Sequence, residues 1–352
     1  MLAFKKLKIN NLVLKNRFVV SPMCQYSAKN GNPSKWHYFH LLKLALSGAS
    51  TLMLESTAIS NSGRISNKDL TLCNKSNENN FKKLLLFIKR FSDIKVGIQI
   101  SHSGRKGSSC VPWIKPNFPL KKGKWKTFAP SAIKRDKHWP VPNKLNLLQI
   151  KNIKNDFAKT AYRANNIGFD CLEIHMAHGY LLHQFFSKVS NKRNDKYGGS
   201  LENRTKLLIE IAKDIRKIWP RKKILGARIT GSDRLKEGNN VDDSIFLSKK
   251  LEKIGFDYIC ISSGGILPKT NLKQKKGFNI DIAKIIKKKT KMKIRTSGNI
   301  TDINYANLLV KKKFVDLICI GRKFISDPNF LLKNKNFHNK KKSIPNPYIR
   351  CF

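Results

Sequence analysis

Short apolar runs that are rich in branched side chains recur along the whole chain and alternate with helix-like segments. The runs are continuous, whereas a strand with one exposed face would alternate apolar and polar side chains. They predict eight strands, at residues 18–23, 51–57, 95–101, 170–176, 224–230, 257–263, 293–297 and 317–321. The segments between and after them predict eight helices, at residues 37–47, 79–91, 149–166, 201–219, 242–254, 279–289, 302–310 and 327–332. This alternation predicts a parallel sheet that is covered on both faces.

Eight strand–helix pairs are the number that builds a (β/α)8 TIM barrel of the α/β class. A doubly wound open sheet is the main competitor, because periodicity does not report whether a sheet closes. The connection after the third strand, residues 104–148, is unusually long, and we expect it to cover the mouth of the barrel. Residues 334–343 are a linker rich in lysine and asparagine, and an apolar tail, residues 344–352, follows it. We therefore predict a barrel domain at residues 1–333 and, at residues 334–352, a linker and tail that docks on a neighbouring subunit.

The chain has 352 residues and a formal net charge of +49. Such a charge is typical of proteins that bind nucleic acid or an anionic membrane. The lysines, however, are spread over many predicted helices, and Lys, Asn, Ile and Phe, whose codons are rich in A and T, are all frequent. We therefore attribute the charge to compositional bias and expect no specific nucleic-acid partner. The alternative to an enzyme is a basic barrel that binds nucleic acid and has lost its catalytic activity.

Cysteine usage and hydropathy predict the compartment. The seven cysteines are odd in number, lie far apart and contain no Cys-x-x-Cys pair. This pattern is typical of a reducing cytoplasm and not of a disulfide scaffold. The sequence contains no run of about 18 apolar residues, so we predict no membrane span. The N-terminal residues lack the apolar core and the cleavage site of a secretory signal. We therefore expect a cytoplasmic protein with no membrane partner.

Titratable side chains cluster at the end of the fourth predicted strand, which is where TIM barrels place their chemistry. His175 and His178 lie three residues apart, and Tyr180 follows two residues later. An isolated His-x-x-His pair also occurs at zinc sites, and His183 and Cys171 lie nearby in the sequence. No His-Glu-x-x-His motif is present, so we expect no metal at this strand end.

Glycine and arginine residues mark the ends of the last strands. Gly298 and Gly321 allow backbone N–H groups to approach an anion closely, and Arg322 can hold a phosphate with two hydrogen bonds. Loops after the seventh and eighth strands form the common phosphate site of TIM barrels. Gln99 and Arg228 are long donors at other strand ends, and they suit a planar heterocycle with carbonyl and ring-nitrogen acceptors. A phosphate site beside a flat polar ring suggests flavin mononucleotide.

The motifs at these strand ends resemble those of the old yellow enzyme family of FMN-dependent ene-reductases, also called the NADH:flavin oxidoreductase family. The likeness is greatest to its bacterial branch with a cysteine beside the flavin. The resemblance covers residues 4–352, and its most specific pieces are SPMCQYS at 21–27, GRIS at 63–66, QISHSGRKGS at 99–108, EIHMAHGYLLHQF at 173–185, NKRNDKYGGSLENR at 191–204, SSGG at 262–265 and GR at 321–322. Each piece alone is weak, but together, in this order and at strand ends, they are specific.

The resemblance implies a role for each matched residue. His175 and His178 would hydrogen-bond the carbonyl oxygen of the substrate and stabilise an enolate-like transition state, and Tyr180 would deliver a proton to the α-carbon. Tyr26 would touch bound ligand, and Cys24 would tune the flavin without acting as a nucleophile. The implied FMN-binding positions are Ser21, Pro22, Met23, Cys24, Ser56, Gln99, Arg228, Ser263, Gly264, Gly298, Gly321 and Arg322.

The resemblance also implies an activity. FMN would be the cofactor, NAD(P)H the electron donor, and the C=C bond of an activated alkene such as an enone the acceptor of the hydride. Arg350 would enter the active site of a neighbouring subunit in a homodimer or homotetramer. An oxidoreductase acting mainly on quinones or nitro compounds is the alternative among enzymes. Ser56 and Arg234 replace a small apolar residue and a frequent tryptophan of the family, which leaves the redox potential and substrate shape open.

Overall fold

The computed structural model describes residues 1–268, 273–338 and 344–351, and its centre is a closed barrel of eight parallel strands. The barrel strands are β1 (Phe18–Val20), β2 (Thr51–Ala58), β3 (Lys95–Ser101), β4 (Cys171–Met176), β5 (Ile224–Thr230), β6 (Tyr258–Ser262), β7 (Lys293–Thr296) and β8 (Leu317–Ile320). Each strand pairs with the next one in sequence, and β8 pairs with β1. This closure confirms the predicted (β/α)8 barrel and excludes the open sheet, which would leave two edge strands unpaired.

A helix follows each barrel strand and packs on the outside of the barrel. The helices are α1 (Lys35–Ala45), α2 (Lys75–Phe91), α3 (Leu147–Ile167), α4 (Leu201–Ile218), α5 (Val241–Ile254), α6 (Ile280–Lys289), α7 (Ile303–Lys311) and α8 (Arg322–Ser326). Two further short helices are Leu181–Phe186, directly after β4, and Lys335–His338. Within the described residues, no helix combines the length and the apolar character needed to cross a membrane.

The last helix does not lie where the sequence pattern placed it. Residues 328–332 form turns, whereas α8 begins at Arg322, five residues before the predicted start. Asp327 follows α8 with φ −145° and ψ 84°, which is not a helical conformation. Pro328 comes next, and the proline ring disfavours the helical region for the residue before it. The prediction of a helix over residues 327–332 is therefore wrong, and the position of the proline explains why.

The barrel interior is sealed at the end where its strands begin. An antiparallel hairpin precedes the barrel, and its strands are Leu7–Ile9 and Leu12–Leu14. Ile9 and Leu14 of this hairpin pack in one buried cluster with Met53 and Leu317 from the barrel strands. A separate and larger apolar core fills the layer between strands and helices.

The long connection after β3 lies at the opposite end of the barrel, where the strands finish, as expected. The ring of Trp113 stands edge-on to Tyr26, with centroids 5.8 Å apart, and Trp125 Nε1 donates to Ser62 O at 3.2 Å. Tyr26 and Ser62 belong to the loops after β1 and β2. The connection contains two short paired strands, Phe128–Ala129 and Asn143–Lys144. Its contacts with the neighbouring strand-end loops place it over one side of the barrel mouth.

The tail is described from Ile344 to Cys351. Residues 339–343 of the predicted linker and Phe352 lie outside the described residues. Ile344 is buried in the core layer, whereas the 3-10 helix Asn346–Cys351 that follows contains no buried residue. The division into a barrel and a tail that docks on another subunit stays a prediction.

Candidate active site

A cavity of about 240 Å³ lies at the carboxyl ends of β1, β5, β7 and β8. It brings together residues that are up to 300 positions apart in the chain. The predicted FMN-binding residues that line it are Ser21, Pro22, Met23, Arg228, Gly298, Gly321 and Arg322. This is the end of a TIM barrel at which cofactors and phosphates bind.

The cavity is bordered by backbone at two glycines. Gly298 has φ +147°, a conformation that side chains rarely adopt. A Cβ on Gly321 would lie 3.1 Å from Met23 Sδ, which is tighter than ordinary contact. Because neither glycine has a side chain, the main chain at both positions faces the cavity directly, next to Arg322. Exposed backbone beside a guanidinium fits a phosphate group.

Arg228 supplies a donor without a protein partner. Its Nη2 donates to Ser297 Oγ at 3.1 Å, but its buried Nε–H has no hydrogen-bond partner within the described residues. A buried donor left unpaired costs about 1–3 kcal/mol. Arg228 lines the cavity, so an acceptor on a bound molecule would remove that cost. This geometry fits a flat ring with nitrogen or carbonyl acceptors, as the sequence predicted.

Gln99 lies in the barrel and is held by the neighbouring strand. It is 2% exposed, and its Nε2 donates to Glu173 Oε1 at 2.7 Å. A carboxylate accepts hydrogen bonds only, so this contact fixes which end of the amide faces it. No donor among the described residues bonds the amide oxygen of Gln99, so this oxygen can accept a hydrogen bond from a ligand. Sequence reasoning did not identify Glu173, although it opens the motif that contains both histidines.

Four more predicted FMN-binding residues, Cys24, Ser56, Ser263 and Gly264, lie outside the lining of this cavity, as Gln99 does. Ser56 Oγ is 2.5 Å from Ser101 Oγ in a buried contact between β2 and β3. Ser263 Oγ donates to Asn279 Oδ1 at 2.7 Å, and the Asn279 amide donates to Ser297 O at 2.8 Å. The loops after β6 and β7 are thus tied to each other next to the cavity.

His175 and His178 are close to each other, as predicted. His175 Nδ1 accepts the backbone N–H of Ala177 at 3.1 Å, so the proton of the neutral ring lies on Nε2. His175 Nε2 is 3.2 Å from His178 Nδ1 and donates to it. The proton of His178 then lies on Nε2, which is 2.5 Å from Ser262 Oγ. The hydrogen-bond network therefore gives a donor chain from His175 through His178 to Ser262.

Both imidazoles are neutral at pH 7. Burial lowers the pKa of His175 and of His178 well below the usual value, and the positive charges of Arg228 and Lys106 lower it further. A neutral imidazole donates one hydrogen bond without carrying a charge into the barrel mouth. The pair is therefore suited to polarise an oxygen atom and is not suited to act as a strong acid.

Tyr180 lies against the first of these rings. Its ring centroid is 4.7 Å from that of His175. Burial, followed by the nearby Cys24 and Tyr26, raises the pKa of the Tyr180 phenol well above its usual value. The phenol is therefore protonated throughout the neutral range and is a potential proton donor.

Lys106 is a site residue that sequence reasoning missed. Its Nζ donates to His178 O at 2.7 Å and lies 5.1 Å from the centroid of the Tyr180 ring. Burial, assisted by Arg135 and Arg105, lowers the pKa of Lys106 to about 7. The residue belongs to the QISHSGRKGS segment, but only the folded chain shows that its ammonium reaches the tyrosine.

Cys24 lies among carboxylates at the end of β1. The ligand atoms of Cys24, Glu55 and Asp69 lie within 4.8 Å of one another. Burial, together with these two carboxylates, raises the pKa of the Cys24 thiol well above its usual value. A raised pKa favours the neutral thiol over the thiolate; the expected role of Cys24 beside the flavin stays a prediction. Burial also raises the pKa of Tyr26.

The zinc alternative for the histidine cluster has little geometric support. His183 Nε2 bonds Asp233 Oδ1 at 2.7 Å, and its Nδ1 accepts the backbone N–H of Gly179 at 2.7 Å. Both nitrogens of His183 are thus engaged by the protein. The one group of potential ligand atoms found among the described residues is that of Cys24, Glu55 and Asp69, and it does not include a histidine.

Comparison with known proteins agrees with this site. The model of the NADH:flavin oxidoreductase / NADH oxidase family matches residues 3–341. An NADPH dehydrogenase of Clostridium acetobutylicum is 34% identical over 352 residues, which is 99% of each chain. A solved 2-naphthoyl-CoA reductase complex has a TM-score of 0.83 at 25% identity; the match covers 94% of this chain but only 52% of that longer one. The old yellow enzyme homologue of Zymomonas mobilis has a TM-score of 0.79 at 21% identity, covering 96% and 92% of the two chains.

The last of these likenesses concerns the fold alone, whereas the family match spans nearly the whole barrel. That match also agrees with the glycine-bordered cavity, the unpaired donor of Arg228 and the neutral histidine pair. The chain belongs to the NADH:flavin oxidoreductase / NADH oxidase family, the old yellow enzyme family, and is an FMN-dependent oxidoreductase that takes electrons from a nicotinamide nucleotide.

Proposed function

We propose that the protein is an ene-reductase that reduces the C=C bond of activated alkenes such as enones, with NADPH or NADH as electron donor. The observation that carries this proposal is the neutral pair of His175 and His178 beside a protonated Tyr180. Two imidazole donors suit a carbonyl oxygen that gains negative charge as the alkene is reduced. A phenol next to them suits the proton transfer that completes the reduction.

The residues present fit FMN. Arg322 and the backbone at Gly298 and Gly321 would hold the phosphate, whereas Arg228 and Gln99 would face acceptors and donors of the ring system. When bound, FMN would accept electrons from the nicotinamide nucleotide and would then supply the hydride that reduces the alkene. The position of Cys24 after β1, directly following Ser21, Pro22 and Met23 of the cavity lining, supports the assignment of the chain to the branch of the family with a cysteine beside the flavin.

The histidines bind the substrate by exchanging partners. His178 Nε2–H donates to Ser262 Oγ, and His175 Nε2–H donates to His178. A substrate carbonyl oxygen that accepts both N–H groups replaces two hydrogen bonds within the protein with two to the ligand. The number of hydrogen bonds is therefore the same before and after the substrate binds. The two bonds to the substrate oxygen strengthen as negative charge develops on that oxygen. This is the form of catalysis in which the transition state is bound more tightly than the substrate.

Tyr180 holds the proton for the α-carbon. Its raised pKa keeps the phenol protonated, and the ammonium of Lys106 near its ring stabilises the phenolate that forms when the proton leaves. Tyr180 is therefore protonated before the transfer, and Lys106 stabilises the phenolate after it.

A reaction-cycle experiment tests the proposal. Purified protein loaded with FMN should lose its flavin absorbance when NADPH or NADH is added anaerobically, and 2-cyclohexenone should restore it, with cyclohexanone as product. Menadione and nitrobenzene serve as comparison acceptors. If only these two restore the absorbance, the ene-reductase assignment is wrong, and the oxidoreductase for quinones or nitro compounds replaces it.

The tail completes the proposal. Tyr348, Ile349 and Arg350 are all exposed in the monomer. Exposed large apolar side chains next to an arginine are typical of a protein interface. We infer that the tail, as part of residues 334–352, docks on the barrel, residues 1–333, of a neighbouring subunit and that Arg350 reaches that subunit's active site.

A further inference from the structure

His178 lies in a strained backbone conformation in the turn that follows β4. Its φ is +58°, a left-handed value that residues with a side chain rarely adopt. Gly179 continues the turn with φ +72°, and a Cβ at this position would lie 2.1 Å from the carbonyl oxygen of Gly265. A strained conformation of this kind persists only where the surrounding structure imposes it, and such positions cluster at functional sites. The turn therefore depends on the groups that hold its backbone.

The imidazole of His183 is an acceptor for the backbone of this turn. His183 Nδ1 accepts the N–H of Gly179 at 2.7 Å. The N–H of His178 donates to Thr230 Oγ1 at 3.2 Å, and that hydroxyl lies 3.4 Å from the same ring nitrogen. His183 and Thr230 are fully buried. Two consecutive N–H groups of the strained turn thus converge on one nitrogen atom, directly and through Thr230.

Asp233 determines which nitrogen of His183 is the acceptor. A backbone N–H only donates, so Nδ1 carries no proton and the proton of the ring lies on Nε2. Nε2 donates to Asp233 Oδ1 at 2.7 Å. The other oxygen of Asp233 accepts the hydroxyl of Ser187 at 2.7 Å and the backbone N–H of Asn239 at 2.8 Å. The fully buried carboxylate is thus held by three donors, and it holds the ring in the tautomer that the turn requires.

The turn sets the direction of the His178 side chain. From this backbone the ring reaches His175 Nε2 at 3.2 Å and also contacts Ser262 Oγ. Without the acceptor at His183, the N–H of Gly179 would be buried and unpaired, which costs free energy. The backbone would then relax toward a conformation that pairs this N–H elsewhere, and the imidazole of His178 would move with it.

We propose that His183 is a positioning residue for the substrate-binding histidines: it fixes the left-handed turn at His178 and Gly179 and thereby the direction in which the His178 imidazole points. Asp233 contributes by setting the tautomer of His183, and Thr230 contributes by carrying the second hydrogen bond. His183 acts on the substrate only through His178. This inference rests on the proposed function, because that function assigns the carbonyl oxygen of the substrate to His178.

Two substitutions at one position separate the acceptor from the rest of the side chain. His183→Asn places an amide oxygen near the position of Nδ1 and keeps an acceptor for Gly179, whereas His183→Leu removes the acceptor; both variants lose the contact with Asp233. In FMN-loaded protein, His183→Leu should weaken the binding of 4-hydroxybenzaldehyde by about tenfold or more, which is the loss expected for one hydrogen bond to a charged oxygen. His183→Asn should bind the phenol with an affinity near that of the wild type.

A control variant measures the effect of losing a buried hydrogen bond elsewhere. Ser248 Oγ donates to Ser244 O at 2.7 Å within α5, and both serines are buried. Ser248→Ala should leave the phenol affinity unchanged. A loss of affinity in Ser248→Ala equal to that in His183→Leu would show that general destabilisation, and not the turn, is responsible, and this result would overturn the proposal.

Nuclear magnetic resonance of protein labelled with 15N-histidine tests the geometry without ligand or catalysis. The ring signals of His183 should show an unprotonated Nδ1 and a protonated Nε2, and a protonated Nδ1 overturns the proposal. The ring signals of His178, identified by their loss in His178→Gln, should shift in His183→Leu but not in His183→Asn or Ser248→Ala. Thr230→Val removes only the hydroxyl that accepts the N–H of His178 and should shift the same signals, so it decides the outcome if His183→Leu does not fold.

The half-reactions provide the last measurement. His183→Leu should slow the reduction of 2-cyclohexenone by about tenfold or more, whereas reduction of the flavin by NADPH should stay near the wild-type rate. Unchanged phenol affinity and unchanged His178 signals in His183→Leu, or equal losses in His183→Asn and His183→Leu, overturn the proposal. If the wild-type protein reduces no alkene, the proposed function fails, and the ring signals of His178 still decide the positioning role of His183.

Discussion

Glu173 on β4 and Arg295 on β7 form an ion pair between strands that lie on different sides of the closed barrel. Both residues are buried, and the same carboxylate accepts hydrogen bonds from Gln99 and from the Tyr258 hydroxyl. Burial lowers the pKa of Arg295, but Glu173, together with Tyr258, Cys260 and Cys319, outweighs burial and raises the pKa well above the usual value. Arg295 therefore stays charged, and the hydrogen bond to Glu173 holds the amide of Gln99 in one orientation.

Removing one partner of this pair should destabilise the protein strongly. Arg295→Met leaves the Glu173 carboxylate buried without its counter-charge, and such a change costs about 3–5 kcal/mol of unfolding free energy. The double variant Arg295→Met, Glu173→Gln should recover part of that loss, because neither side chain is then charged. Urea unfolding of the FMN-free proteins measures both effects. A single variant as stable as the wild type would show that the pair contributes little.

His178 and its hydrogen-bond partner Ser262 give two contrasting predictions. His178→Ala should weaken the binding of a phenol such as 4-hydroxybenzaldehyde by about tenfold or more, through loss of one hydrogen bond to a charged oxygen. Ser262→Ala should not weaken it, since it removes the competing acceptor of His178 Nε2. Titration of the flavin absorbance with the phenol measures both. FMN should remain bound in each variant, and unchanged phenol affinity in His178→Ala would refute the carbonyl-binding role.

Tyr180→Phe should separate the two halves of the reaction. Reduction of the flavin by NADPH needs no proton from the phenol, so its rate should be near that of the wild type. Reduction of the alkene should slow by about 10²-fold or more, which is the usual contribution of a positioned proton donor. Anaerobic stopped-flow absorbance measures each half separately. Equal slowing of both halves would indicate a general distortion of the site and not a proton-transfer role.

The pH dependence of alkene reduction should report Lys106. Because burial lowers its pKa to about 7, Lys106 is charged below pH 7 and loses its charge as the pH rises through that value. The charged form supports the phenolate of Tyr180, so the rate of alkene reduction should fall as the pH increases above 7. Lys106→Met should be slower at low pH and should lack this transition. A transition near pH 7 that persists in Lys106→Met would assign it to another group.

Removal of the tail should change the assembly. A chain that ends after Pro345 keeps the buried Ile344 but lacks the exposed segment with Tyr348 and Arg350. Light scattering coupled to size-exclusion chromatography should show a smaller particle than for the full chain. Arg350→Ala should keep the full size but raise KM for the alkene, because it removes only the side chain expected in the neighbouring site. Identical particle size for the truncated and full chains would contradict the docking role.

The sequence by itself determined which segments of this protein form the barrel strands, whereas closure of the sheet was decided by the tertiary structure. Continuous apolar runs separated by helical segments identified all eight barrel strands, because burial on both faces of a parallel strand leaves a local pattern. The sequence also identified strand-end residues such as His175, His178 and Arg228. The strands of a TIM barrel all end at one side, so residues at the strand ends are candidates for one site. The misplaced helix at residues 327–332 shows the limit of periodicity, since Pro328 overrides it.

The tertiary structure alone decided which side chains meet. Closure of the barrel brings Arg295 to Glu173 over 122 positions of sequence, and it lays the ammonium of Lys106 over Tyr180. These relationships depend on distances across the barrel mouth and on burial, and both arise only when the strands have closed. No periodicity or spacing along the chain carries that information.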